Sequence, residues 1–314
     1  MKTFTCNDLS STLQACHLCP RHCGVNRLAG ETGFCRAGTL PRVALASLHH
    51  WEEPCISGTR GSGTVFFSHC NLACVFCQNH DISQGNQGTD ISIDRLAAIF
   101  LEQQERGAHN LNLVTPTPYV PQIIEALSIA RRSGFALPVV YNTSAYETVE
   151  TIEALKGWAD VYLPDLKYCN DGLATHFSNA PYYFKHATQA IQAMIDQTGP
   201  CVFDDDGLLR RGVLIRHLAL PGQAADSKQI LFAMRQRFGL DVWFSLMNQY
   251  TPQPGVKDFP ELQRQLTDAE YEDLIEYALD LGLENGFIQE PGAASEQFIP
   301  AFNLAGVLTQ GESP

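Results

Sequence analysis

Three cysteines, Cys70, Cys74 and Cys77, fall within eight residues in the segment Phe67-Ser68-His69 to Gln78-Asn79-His80. Thiolates this close in sequence can ligate three corners of a four-iron, four-sulfur (4Fe-4S) cubane cluster. No cysteine follows until Cys169, which leaves the fourth iron open to a ligand from outside the chain. An open metal position is what separates a reactive site from a structural one. Zinc is the competing reading, with His69 or His80 as a fourth ligand. Structural zinc usually draws its ligands as two short pairs, and this spacing does not divide that way.

A second group, Cys16, Cys19, Cys23 and Cys35, offers four thiolates in a Gly/Arg-rich stretch. Four are enough to close a metal site without histidine. A structural zinc and a second iron–sulfur cluster both fit, and unligated thiols are the third reading. Arg21, Arg27 and Arg36 either surround that site or form a solvated face. Cys6, Cys169 and Cys201 are scattered and read as buried structural thiols. In all the chain holds 11 cysteines. The stretch Met1 to Asp8 lacks the apolar core of a secretory signal, which points to a cytoplasmic protein. Thiols there stay reduced, so clustered cysteines suggest metal or redox chemistry before disulfides.

The elements that must position these groups alternate in type. Thr64 to Phe67 reads as a strand, Ser92 to Arg106 as a helix, Asn110 to Val114 as a strand and Pro121 to Arg132 as a helix. Leu137 to Tyr141 is a strand, Thr148 to Leu155 a helix, Asp160 to Leu163 a strand and Tyr183 to Gln197 a helix. A hairpin follows around Asp204-Asp205-Asp206-Gly207. Val213 to Ala219 and Val242 to Leu246 are strands, with helices at Ser227 to Phe238 and Thr267 to Leu281. About six strand–helix alternations build parallel strands with crossover helices, short of a full eight-fold barrel. The expected fold class is therefore α/β, a partial barrel. Residues 1–55 are expected to form a small Cys-rich metal-binding module and connector. Residues 56–314 form the barrel and a C-terminal extension. His49-His50-Trp51-Glu52-Glu53 reads as a packing segment between the two.

The Cys-x3-Cys-x2-Cys spacing after a strand, with Phe76 just before the last cysteine, resembles the radical S-adenosylmethionine (SAM) superfamily. Cys70 to Ser83, Asn142-Thr143-Ser144, Tyr162 to Tyr168 and Arg211 to His217 resemble pyruvate formate-lyase-activating-enzyme-like proteins more narrowly. The resemblance implies a partial (β/α)6 barrel in which the amine and carboxylate of SAM chelate the open iron. One electron from the cluster, supplied by a reductant such as flavodoxin or ferredoxin, then cleaves SAM to methionine and a 5′-deoxyadenosyl radical. That radical takes hydrogen from a substrate, which the resemblance suggests is a glycine on a partner protein. The cofactors do the difficult chemistry while the protein orients them and excludes water.

The expected cofactor contacts follow strand by strand. Thr115 and Thr117 lie past the second strand, where barrel active sites form. Asn142 and Thr143 follow the third, in a segment like the family's Asp-Thr-Asn. Asp165 and Lys167 end the fourth in a pattern like its Asp-Leu-Lys. Of Arg216 and His217 on the fifth, alternation turns only one inward, and Arg216 is the one expected near the cofactor.

Two other readings compete. One is a radical enzyme acting on a small molecule or peptide. The other is a non-catalytic iron–sulfur carrier or zinc-stapled interaction protein, against which stand the missing fourth cysteine and the barrel-like alternation. A formal charge of −13 argues against nucleic-acid binding, since phosphate affinity comes from Lys and Arg. No stretch reaches the ~18 apolar residues a transmembrane helix needs.

Overall fold

The computed structural model describes residues 11–289 and 300–308. The readings made on Met1 to Asp8 and on Cys6 lie outside them.

Among the described residues ten strands form one sheet: β1 (Arg42–His49), β2 (Ser62–Phe67), β3 (Thr89–Asp90), β4 (Leu111–Val114), β5 (Val139–Thr143), β6 (Val161–Pro164), β7 (Val202–Phe203), β8 (Leu209–Leu218), β9 (Trp243–Met247) and β10 (Gly286–Ile288). Their spatial order is β10-β9-β8-β6-β5-β4-β2-β1-β3, with β7 paired to β8 as the expected hairpin. From β2 through β10 along this path every pairing is parallel. Helices Ile93–Glu105, Val120–Arg132, Val149–Ala154, Tyr183–Thr198, Ala224–Phe238 and Asp268–Asp280 make the crossovers. The fold is a partial (β/α)6 barrel with a small N-terminal Cys-rich module.

Local signals explain these boundaries. Ser92 and Thr148 each accept a backbone N–H in the first turn of the following helix, and Thr267 forms a capping box with Glu270. The central strands are buried along their whole length, as parallel strands covered by helices must be. Two main clusters of side chains fill the core, one around Tyr141, Tyr162 and Ile191 and the other around Phe67, Phe100 and Leu127.

Residues 42–49, which the sequence places in the N-terminal module, instead form a strand of the main sheet, antiparallel to β2. Val43, Ala44, Leu45 and Ala46 are buried there. Their unbroken apolar run lacks the helical spacing that would have marked them as core. Of the two readings open for Arg27, the structure favours the first, since it is buried rather than solvated and lines the recess of the four cysteines. It donates to the carbonyls of Gly38 and Pro118 and so fastens the module to the barrel. Cys55 is buried, whereas Cys169 and Cys201 are only partly so.

Candidate active site

The loop carrying Cys70, Cys74 and Cys77 leaves β2 at its C-terminal end. His69 opens it in the left-handed region, φ 74°, with its ring nitrogen 3.0 Å from the Tyr119 hydroxyl. Further on, Ala73 and Val75 donate to the carbonyls of Ser178 and Phe177. Gly255 closes over the loop, where a methyl group would stand 2.3 Å from the Val75 carbonyl oxygen. The backbone of the loop is thus held on two sides.

Each sulfur accepts a hydrogen bond. The donors are the Leu72 N–H to Cys70 (3.4 Å), the Ser178 hydroxyl to Cys74 (2.9 Å) and the Ser83 hydroxyl to Cys77 (3.3 Å). Burial pushes all three thiols up, Cys74 to about 11, while the nearby Lys167 ammonium pulls them down. Buried sulfurs supplied with donors are suited to ionise only against an added positive centre, which is the behaviour of iron–sulfur ligands. The donor set fits a cluster.

The sulfurs face a cavity of about 240 Å³ whose walls include Thr115, Asn142, Thr143, Asp165, Lys167 and Arg216. Parallel strands bring their C-terminal ends to one rim, which is why residues so far apart in sequence meet here. Arg216 turns inward and His217 outward, as alternation requires. The His217 ring bonds to the Leu166 carbonyl and Ser227, and burial pushes it down to about 4. Arg216 donates to Asp165 (2.9 Å), Glu52 (3.0 Å) and Asn142 (2.5 Å). Lys167 donates to the other oxygen of Asp165 at 2.7 Å. Burial alone would raise the Asp165 carboxyl, but Arg216 and Lys167 outweigh it and hold the group below its ordinary value.

Family comparison settles what this rim belongs to. The model for the Radical SAM superfamily matches residues 64–232, which contain the cysteine trio and the rim residues. The chain belongs to the radical SAM superfamily. An uncharacterized protein of Methanocaldococcus jannaschii is 32% identical over 278 residues, covering 86% of this chain and 75% of the relative. Among solved structures, SuiB of Streptococcus suis bound to the precursor peptide SuiA superposes with TM-score 0.50 at 15% identity, over 71% of this chain and 47% of SuiB. SuiB bound to S-adenosylmethionine gives 0.50 at 14% identity, over 71% and 49%. The chain thus spans about half the length of SuiB, and this likeness is one of fold.

For a radical SAM enzyme the superfamily implies a 4Fe-4S cluster and SAM, and the rim residues sort by what they touch. The Asn142 amide is spent within the protein, accepting from Arg216 and donating to Glu52. The Thr143 and Thr117 hydroxyls both donate to Glu147, each at 2.6 Å. Thr143 still lines the cavity. Thr117 does not, and its candidacy as a cofactor contact is corrected accordingly. Thr115 lines the cavity with its backbone at φ 58° and its N–H bonded to the Asn142 carbonyl.

Two carboxylates that bond to rim residues escaped the sequence reading. Glu52, assigned to a packing segment, reaches into the lumen and bonds to Asn112, Asn142 and Arg216. The sequence signal on the other side was Asn112, a lone polar residue in the strand Leu-Asn-Leu-Val. Glu147 left no signal, because it lies past β5 in a loop. Buried, it accepts from Thr117, Tyr141 and Thr143 through one oxygen while the other has no partner among the described residues.

Burial raises the Glu147 carboxyl from 4.5 to about 7. The folded chain therefore holds a proton that the unfolded chain has lost. Stability falls as pH rises from about 4.5 to about 7, by about 3 kcal/mol across the window. Glu147→Gln is expected to remove that dependence. Denaturant midpoints at pH 5 and pH 8 check this, and equal pH slopes in the two proteins would refute it.

In the N-terminal module, Cys16, Cys19, Cys23 and Cys35 line one small recess with Leu18, Val25 and Ala37. Burial pushes Cys19 up to about 12, reinforced by Cys35, Glu147 and Cys16 nearby. The module braces the cluster loop, with Arg21 donating to the Asn71 carbonyl at 3.1 Å and Arg36 to that of Gln84. No helix among the described residues is long and apolar enough to cross a membrane.

Proposed function

We propose that Cys70, Cys74 and Cys77 hold the 4Fe-4S cluster and that SAM lies across the strand ends. Thr115, Asn142, Thr143, Asp165 and Arg216 would line its site. When bound, these cofactors supply reductive cleavage of SAM and a 5′-deoxyadenosyl radical able to abstract hydrogen. The observation that carries this reading is the convergence of three hydrogen-bonded sulfurs and the Asp165–Lys167–Arg216 charge network on one cavity. Within it, Lys167 and Arg216 offer positive charge to a carboxylate, Asp165 fixes both cations, and the buried rim limits access of water.

The finer reading is a glycyl-radical activase acting on a partner protein, supported by the pyruvate formate-lyase-activating-enzyme-like motifs. A small molecule or peptide is the second reading. It is favoured by a further cavity of about 210 Å³ beside the first, which a compact substrate can enter. Flavodoxin or ferredoxin is the proposed one-electron donor. We assign a second metal, zinc or iron–sulfur, to Cys16, Cys19, Cys23 and Cys35. Metal content of a chain lacking Cys70, Cys74 and Cys77 distinguishes the two. We also keep the N-terminal segment as a separate module and move its boundary from residue 55 to before β1.

The function is tested by reconstituting the chain with iron and sulfide, reducing it, and measuring 5′-deoxyadenosine and methionine from SAM. Formation of both supports the reading. Neither product from a protein with a full cluster would sink it.

A further inference from the structure

The further cavity is walled by Glu53, Ser245, Met247, Phe287, Ile288 and Gln289. It shares Trp51, Glu52, Arg216, Met247 and Gln249 with the cluster cavity. A molecule seated in it therefore extends toward the sulfurs.

Glu53 is its unusual member. The residue is only 9% exposed, and its Oε2 atom has no hydrogen-bond partner among the described residues. An orphaned buried carboxylate oxygen is costly, because water has been removed and nothing has replaced it. Arg216 attracts the group but gives its hydrogen bonds to Asp165, Glu52 and Asn142. Burial pushes the Glu53 carboxyl up, and the Ser245 hydroxyl and Arg216 act against that. When ionised, Glu52, Glu53 and Asp165 place three negative charges beside the two positive charges of Arg216 and Lys167. Among these five side chains one negative charge is left unmatched. Met247, Phe287 and Ile288 supply an apolar wall beside this acceptor, against which an alkyl stem can pack.

We propose that this cavity is the substrate subsite, in which Glu53 receives a primary ammonium group on a short alkyl stem that runs toward the cluster cavity. The proposal rests on the hydrogen-abstraction reading and names its substrate class, an aliphatic amine. A charge-assisted bond to Glu53 fills the orphaned acceptor and supplies the missing positive charge together.

The test is calorimetric titration of the full-length, cluster-reconstituted chain with n-hexylamine, n-hexanol, hexanoate and Nα-acetyl-lysine methylamide. Hexylamine is expected to bind at least about tenfold tighter than hexanol, with hexanoate weakest. Glu53→Gln should lose that amine preference. Ile288→Trp, which fills the cavity from its partly exposed wall, should exclude amine and alcohol alike, and it keeps the test alive if Glu53→Gln fails to fold. Acetyl-lysine binding as well as hexylamine identifies a lysine side chain as an accepted source, and weaker binding identifies a free amine. Hexanol binding as tightly as hexylamine, or amine binding undiminished in either variant, overturns the proposal. Formation of 5′-deoxyadenosine by the unaltered chain is scored separately. Cleavage without amine preference defeats the subsite alone, and amine preference without cleavage defeats the functional reading.

Discussion

Cys74→Ala is expected to abolish 5′-deoxyadenosine formation, with loss of the cluster's visible absorbance and of its bound iron. Cys74 is buried, accepts the Ser178 hydroxyl at 2.9 Å and lies within the field of Lys167. Alanine removes one of the three thiolate ligands that the loop provides. The loss should exceed the roughly 10–100-fold that removal of an outer-shell partner costs. Ser178→Ala supplies that comparison, because it keeps the thiolate and removes only its donor. The serine variant should retain iron and lose activity within that smaller range. Full SAM cleavage by Cys74→Ala would end the cluster assignment.

The second large effect is expected at Asp165. Its carboxylate pairs with Lys167 through one oxygen and Arg216 through the other, all three side chains being largely buried. Asp165→Ala strands Lys167 and takes from Arg216 one of its two carboxylates, leaving it Glu52, and breaking a buried pair by removing one partner costs about 3–5 kcal/mol. Freed from Asp165, Lys167 loses the partner that aims it at the cavity, while Arg216 stays held by Glu52 and Asn142. SAM affinity, measured by equilibrium binding, should fall at least about tenfold while iron content stays unchanged, because no sulfur depends on Asp165. Asp165→Asn, which retains an acceptor for one cation, should fall between. Thr143→Ala is expected to weaken binding less. Its hydroxyl is committed to Glu147 and shapes the rim from behind. Unchanged SAM binding in both alanine variants would show that the cofactor does not lie across these strand ends. The cluster assignment would stand even so.

These two expectations differ in where they were legible. The cysteine trio could be read from the sequence because its ligands are local. Three thiols within eight residues stay close whatever the rest of the chain does. The alternation of apolar strands and capped helices was equally local, and it specified the partial barrel through period and capping chemistry. Parallel topology then required every strand to deliver its C-terminal residue to one rim, so Asn142, Thr143 and Asp165 were placed there without coordinates. The two-residue period of β8 allowed only one of Arg216 and His217 to face inward, and the packed structure made it Arg216.

Tertiary structure alone decided what those residues touch. Glu52 and Arg216 stand 164 positions apart, and nothing in either local pattern pairs them. Their meeting depends on how the connector after β1 folds into the lumen. The same holds for Glu147, where Thr117 from the turn after β4 and Thr143 from the end of β5 converge, and for Glu53, whose oxygen without a partner among the described residues becomes visible only once its surroundings are known. β1 was missed because an apolar run without helical spacing does not reveal whether it lines a module or edges a sheet. Spacing along the chain determines which groups are neighbours by covalent necessity. Burial, charge balance and the spending of hydrogen bonds are properties of the packed neighbourhood, and they decided which polar groups are satisfied within the protein and which still face a ligand.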